Sequence, residues 1–212
     1  SSYNVRDYVF DKSIVIDSDE KIEILLALHG YGATSHNKNV INIDDEDKLD
    51  NKLNAICDNI SDNPRGLVDL AGIFLDYDNR YIAIELQKRM KDKRIIYFNK
   101  NNEAIEYNEF SEIKYRGMHS DNIYYYDQSH TVGTDLKQPQ FGNFVIILNK
   151  SLRMTEFAQA IFRFRKLNRG TYLTIFMTNK HTDVKITDNN EVYYLLNTNE
   201  EKFKEGQKLG CY

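Results

Sequence analysis

The stretch Asn122-Ile123-Tyr124-Tyr125-Tyr126-Asp127-Gln128-Ser129-His130-Thr131-Val132-Gly133-Thr134-Asp135 decides the fold class. Its first five residues form a short apolar and aromatic run, the pattern of a strand buried on both faces. The chain then turns abruptly polar, and an acid, a histidine and a second acid follow the strand end. In an α/β protein, that end of the sheet is where ligands bind.

The flanking sequence repeats the strand and helix periods. Upstream, residues 66–74 read as a short strand and 80–90 as a helix with Ile82, Ala83, Leu86 and Met90 on one face. Residues 94–98 read as a second strand, 99–104 as a turn and 105–107 as a brief extra strand. Downstream, 144–148 and 172–177 read as strands. Between them, 155–167 reads as a helix with Phe157, Ala158, Ile161, Phe162 and Phe164 inward and Glu156, Gln159, Arg163 and Lys166 on a polar face. A terminal strand at 193–196 and a short helix at 200–208 complete the pattern. Strands alternating with helices predict a three-layer, Rossmann-like α/β fold with a mostly parallel sheet and helices on both faces.

The regular pattern begins after Asn63-Pro64-Arg65-Gly66. Residues 1–63 therefore read as a polar N-terminal extension packed on the core, and 64–212 as the α/β domain. Within the extension, 22–28 reads as a buried strand that runs into His29-Gly30. Leu49, Leu53, Ile56, Cys57 and Ile60 fall at helical spacing, which gives Cys57 a packing role.

At 212 residues the chain is long enough to bury a full core. Its two cysteines lie far apart, which suits free thiols in a reducing compartment, so a cytoplasmic location is expected. No apolar run approaches the roughly 18 to 20 residues that cross a bilayer, and no membrane association is expected. With a net charge of −4 and mixed signs throughout, the domain alone has no basic footprint for nucleic acid. The sequence contains no Gly-x-x-x-x-Gly-Lys-Ser/Thr run to cradle phosphates, so no cofactor is expected and ATP hydrolysis by this domain alone is not. His36, His119 and His181 stand in polar context, and no histidine has metal-ligand spacing with the cysteines.

Two resemblances bear on function. Gly133-Thr134-Asp135, followed by Gln159-Ala160-Ile161-Phe162-Arg163-Phe164-Arg165-Lys166, resembles the fifth and sixth motifs of superfamily-2 helicases and the SecA translocase. There a Gly-Thr-Asp turn precedes a helix reading Gln-x-x-Gly-Arg-x-Gly-Arg. Here Phe162 and Arg165 stand where that helix has glycine. The resemblance implies a RecA-like C-terminal lobe in which Gln159, Arg163 and Arg165 complete a nucleotide site.

Residues 67–176 are also similar to the C-terminal part of very large multidomain proteins with a helicase-like segment, often grouped with ubiquitin thioesterases. Leu67-Val68-Asp69, Asn79, Tyr126 to His130, Gly133 to Pro139 and Gln159 to Leu167 carry this likeness, which spans about half the chain. It implies that the domain is part of a larger polypeptide, with ubiquitin as its partner.

A thioesterase of this kind needs a thiol within reach of a histidine. Val68-Asp69-Leu70-Ala71-Gly72 is similar to the apolar-Asp-x-Cys turn of caspase-like peptidases, with Ala71 in the place of the cysteine. Tyr125 to His130 is similar to their strand ending in the catalytic histidine, although those families place His before Cys. The resulting expectation is a cysteine-type ubiquitin hydrolase with position 71 as nucleophile, His130 as base and Asp127 or Asp135 orienting it. The alternative is that Ala71 is simply a small residue before a tight turn at Gly72. His29 is the rival base, and Asp69 could instead form an ion pair with Arg163.

Overall fold

The computed structural model describes residues 18–28, 40–60, 63–131, 134, 136, 141–164, 167–179 and 185–210. Among these residues eight strands form one mixed sheet: β1 (Ile41–Ile43), β2 (Pro64–Asp69), β3 (Arg94–Phe98), β4 (Ala104–Asn108), β5 (Ser111–Lys114), β6 (Asn122–Tyr126), β7 (Gly142–Leu148) and β8 (Thr171–Thr178). Their order is β1-β8-β7-β2-β6-β3-β4-β5. From β1 to β3 every neighbouring pair is parallel, and the β3-β4 and β4-β5 pairs are antiparallel. Among the described residues, five α-helices cover the faces: α1 (Ser18–Leu28), α2 (Leu49–Asn59), α3 (Asn79–Arg89), α4 (Met154–Ile161) and α5 (Asn189–Lys208). None of the described helices is long and apolar enough to cross a membrane.

Alternation along the strands sorts the core into two layers. Val68, Ile96, Tyr124, Tyr126 and Ile146 pack with Ile24 of α1, Phe157 of α4 and Leu196 of α5. Leu67, Ile95, Tyr97, Tyr125 and Val145 pack on the other face with Ile56 of α2 and Leu86 of α3. The architecture is therefore the three-layer, Rossmann-like α/β fold that the sequence predicts. β6 is buried along its whole length, which is why its sequence does not alternate in polarity. Gly66 is required beside it, because a β-carbon there would lie 2.5 Å from the Tyr124 carbonyl oxygen and 2.6 Å from the Phe144 ring.

Several elements differ from the expectation. Residues 22–28 belong to helix α1, not to a strand. Ile24, Ala27 and Leu28 form a helical apolar stripe, and Ile22 is exposed off it. Within residues 1–63, β1 joins the sheet by pairing with β8, a strand that the sequence pattern does not place, and α2 packs on one face. The three-residue core of β1 is too short to show a period. The strand at 193–196 and the helix at 200–208 are one continuous helix, α5, which buries Val192, Leu196 and Glu200. β5 has no apolar alternation and was not expected at all.

Helix α4 ends at Ile161, well before residue 167, because Phe164 is drawn back to stack on Phe144 at 4.2 Å. Further along, just before β8, Asn168 has a φ of 63°.

Candidate functional site

Helices α2 and α3, which flank β2, lie on one face of the sheet, whereas α4 and α5, which flank β8, lie on the other. The connections leaving the adjacent strands β2 and β7 therefore diverge. In open α/β sheets the crevice at such a switch point receives the ligand. Here it is framed by the turn after Asp69, the turn after Leu148 and the segment after β6.

Asp69 organises the first of these turns. Its carboxylate is almost fully buried and accepts hydrogen bonds from the backbone N–H groups of Ile73 at 2.9 Å and Phe74 at 3.0 Å. Burial pushes its pKa up to about 6, against the pull of these amides, and the nearby negative charge of Asp127 adds to the rise. The ion pair considered for Asp69 and Arg163 does not form, because each side chain takes backbone partners instead. Ala71 follows, held by its N–H to the Ile147 carbonyl at 2.9 Å. Gly72 then takes a φ of 75°, where a β-carbon would press on the Gln128 amide.

The segment after β6 carries the polar cluster. A 3₁₀ turn at Gln128–His130 begins after Asp127 and folds the histidine back over it. His130 Nδ1 lies 2.6 Å from Asp127 Oδ1, and the Ser129 hydroxyl donates to Asp127 Oδ2 at 2.6 Å. The imidazole stacks on Phe98 with ring centroids 4.4 Å apart and planes only 6° from parallel. On its far side, Nε2 lies 2.8 Å from Asn102 Oδ1. Two proton arrangements satisfy this geometry. Either the ring carries both protons and donates at each nitrogen, or the Asn102 amide is rotated so that its NH2 donates to Nε2 of a neutral ring.

Asn102 is a site residue that the sequence reading missed. It sits in the β3-β4 turn with a φ of 59°, and the Asn99 side chain fixes that turn by accepting from Asn101 N–H and Glu103 N–H, each at 2.9 Å. The run Asn99-Lys100-Asn101-Asn102 is a legible signal for a turn. Nothing local says that the turn faces His130.

Arg163 closes the cluster from below. Its guanidinium lies 4.4 Å over the Tyr126 ring and donates to the carbonyl oxygens of Thr131 and His130, while Nε and Nη1 find no partner. Burial lowers its pKa. It therefore anchors the turn that carries His130 and is not displayed on a polar helix face, a correction that follows from the early end of α4. Gln159 lies half-buried on α4 and is not a hydrogen-bond partner of Asp127 or His130.

Asp127 and His130 are thus brought together, with Arg163 behind them. β2, which leads into the turn at Ala71, is the direct neighbour of β6, which leads to His130. The Ala71 methyl, however, packs in the layer of Ile147 and Phe74, whereas the His130 ring stacks on Phe98 of the other layer. Asp135, Arg165 and His29 lie outside the described residues. Cys57 is packed against the core on α2, and burial raises its thiol to about 11. Among the described residues no group of three or more His, Cys, Asp or Glu side chains is placed to hold a metal ion. Tyr97 and Arg80 hold Glu112 away from this cluster, on the α3 face of the antiparallel strands. No family model, no curated protein and no solved structure matches the chain.

Proposed function

We propose that the chain carries the acid–base centre of a hydrolase of the cysteine-peptidase type, acting at the C-terminal linkage of ubiquitin. The observation behind this reading is the Asp127 carboxylate 2.6 Å from His130 Nδ1 at the carboxyl end of a central parallel strand. A carboxylate on Nδ1 fixes the ring and leaves Nε2 to exchange protons with a reacting group. Stacking on Phe98 removes the remaining freedom of the ring. The acyl linkage and ubiquitin come from the resemblance alone.

In that chemistry, a thiolate at position 71 attacks the linkage carbonyl after its proton passes to His130 Nε2, and His130 returns the proton to the departing amine. Asn102 has to release Nε2 first, and the turn at position 71 has to shift toward the His130 layer, because the two side chains lie in opposite layers of the sheet. Ala71 has no thiol, so the chain as it stands would bind the ubiquitin terminus without cleaving it. Reaction of Ala71→Cys with a ubiquitin C-terminal electrophile, read by mass shift, tests this. Labelling that disappears in Ala71→Cys with His130→Ala supports the pair. No labelling in a folded Ala71→Cys variant refutes position 71 as nucleophile.

One observation favours a second reading. Arg163 Nε and Nη1 have no hydrogen-bond partner but are buried behind the His130 turn, so a rearrangement that uncovered them would offer a cation to an anionic group, as in a helicase-type C-terminal lobe that completes a nucleotide site held by an upstream lobe. That reading calls for RNA-stimulated ATPase activity only when such a lobe is joined to this chain, and for its loss in Arg163→Ala.

A further inference from the structure

β5 closes one edge of the sheet, and all four of its side chains are exposed. An open edge offers unpaired N–H and C=O groups to another strand. The β4-β5 ladder determines which groups those are. Asn108 is paired with Ser111 across the two-residue turn Glu109-Phe110, and Tyr115 N–H donates to the Ala104 carbonyl at 2.9 Å. Hydrogen-bonded positions in an antiparallel ladder recur at every second residue. Ser111, Ile113 and Tyr115 therefore direct their backbone groups to β4, and Glu112 and Lys114 direct theirs outward.

A second copy related by a two-fold axis normal to the sheet can add to this edge only in registers that join these outward groups. Centring the axis on Glu112 sets Glu112 against its own copy. Centring it on Lys114 opposes two lysines. Like charges directly opposite destabilise a strand pair. Centring it on Ile113 places Glu112 opposite Lys114 of the second copy, twice, and each of those pairs exchanges two backbone hydrogen bonds. It also sets Ile113, which is 36% exposed, against Ile113 of the second copy. Glu112 and Lys114 already have exposed ion-pair partners in the chain, Arg80 at 2.8 Å from Glu112 and Glu103 at 3.2 Å from Lys114, so the crossed pairs add to these contacts and do not meet bare charges.

We propose that β5 is a self-association edge, through which two copies of this chain pair antiparallel about Ile113 and merge their sheets. The contact is isologous, so each copy supplies the same patch. It is short and buries less than about 1,000 Å², which makes it a weak, rapidly exchanging dimer.

Sedimentation velocity of the full chain, from roughly ten micromolar to about one millimolar, is expected to show a concentration-dependent dimer. Lys114→Glu and Glu112→Lys each oppose like charges and are each expected to remain monomeric. Mixed together they restore both opposite-charge pairs, and a heterodimer is expected. Glu112→Lys loses its contacts with Arg80 and Tyr97 and could fail to fold. In that event Ile113→Cys, in a chain with Cys57→Ser and Cys211→Ser, is expected to oxidise to a disulfide dimer, because non-hydrogen-bonded pairs bring Cα atoms to about 4.5 Å. A wild-type chain that stays monomeric throughout the range, or a Lys114→Glu chain that associates as well as wild type, overturns the proposal.

Discussion

Replacing Asp69 with Asn tests the balance of forces that shapes the turn below the candidate site. Two effects compete at this carboxylate. Removal from water raises its pKa, whereas the amides of Ile73 and Phe74 favour the charged form. Burial wins, and the folded pKa is about 6 against 3.8 for the free side chain. Between those values the folded state holds a proton that the unfolded state has lost, so stability falls with rising pH by about 1.4 kcal/mol per unit. The contribution of Asp69 is fully present below about pH 4, and about 3 kcal/mol of it is lost by pH 7.

Asn cannot ionise, but its NH2 faces one of the two amides where the neutral carboxyl still presents a hydroxyl oxygen that can accept, a loss of about 1–3 kcal/mol. Urea unfolding of both chains at pH 4 and pH 7.5 is therefore expected to show Asp69→Asn clearly less stable at the lower pH. At the higher pH the gap should close or reverse, a relative change of about 3 kcal/mol. A gap that widens as pH rises would mean that the amides outweigh burial and that the sign assigned to Asp69 is wrong.

Gly66→Ala is expected to lose at least about 2–3 kcal/mol of stability in the same assay, because the new methyl meets the Tyr124 carbonyl, which the sheet holds in place. A loss below about 0.5 kcal/mol would contradict the close approach of β2 to β6. With Cys211→Ser to isolate it, Cys57 is expected to react with a disulfide reagent at pH 8 about a hundred times more slowly than an unstructured thiol, since its pKa is raised from 9.0 to about 11. Prompt labelling would show that α2 does not bury it. Arg163→Leu is expected to speed hydrogen exchange at residues 130–131 while leaving β7 and β8 protected, because the guanidinium anchors the carbonyls of that turn. Unchanged exchange there would remove its anchoring role.

By itself the sequence determined the layered α/β class, because the buried runs at 94–98, 122–126 and 144–148 admit only strands covered on both faces. It also determined the polar turn after β6, since Asp127 and His130 are three residues apart and need only a single 3₁₀ turn to meet. Local period could not settle residues 22–28, where a helical stripe and a buried strand carry the same apolar residues, nor β5, whose exposed residues follow no burial pattern. Only the tertiary structure decided that Asn102 caps His130, that Arg163 turns inward beneath Tyr126, and that Ala71 and His130 serve opposite layers of the sheet. Each of these pairings joins residues distant in sequence. The strand order that brings them together is selected by burial summed over the whole sheet, which no short stretch of the chain encodes.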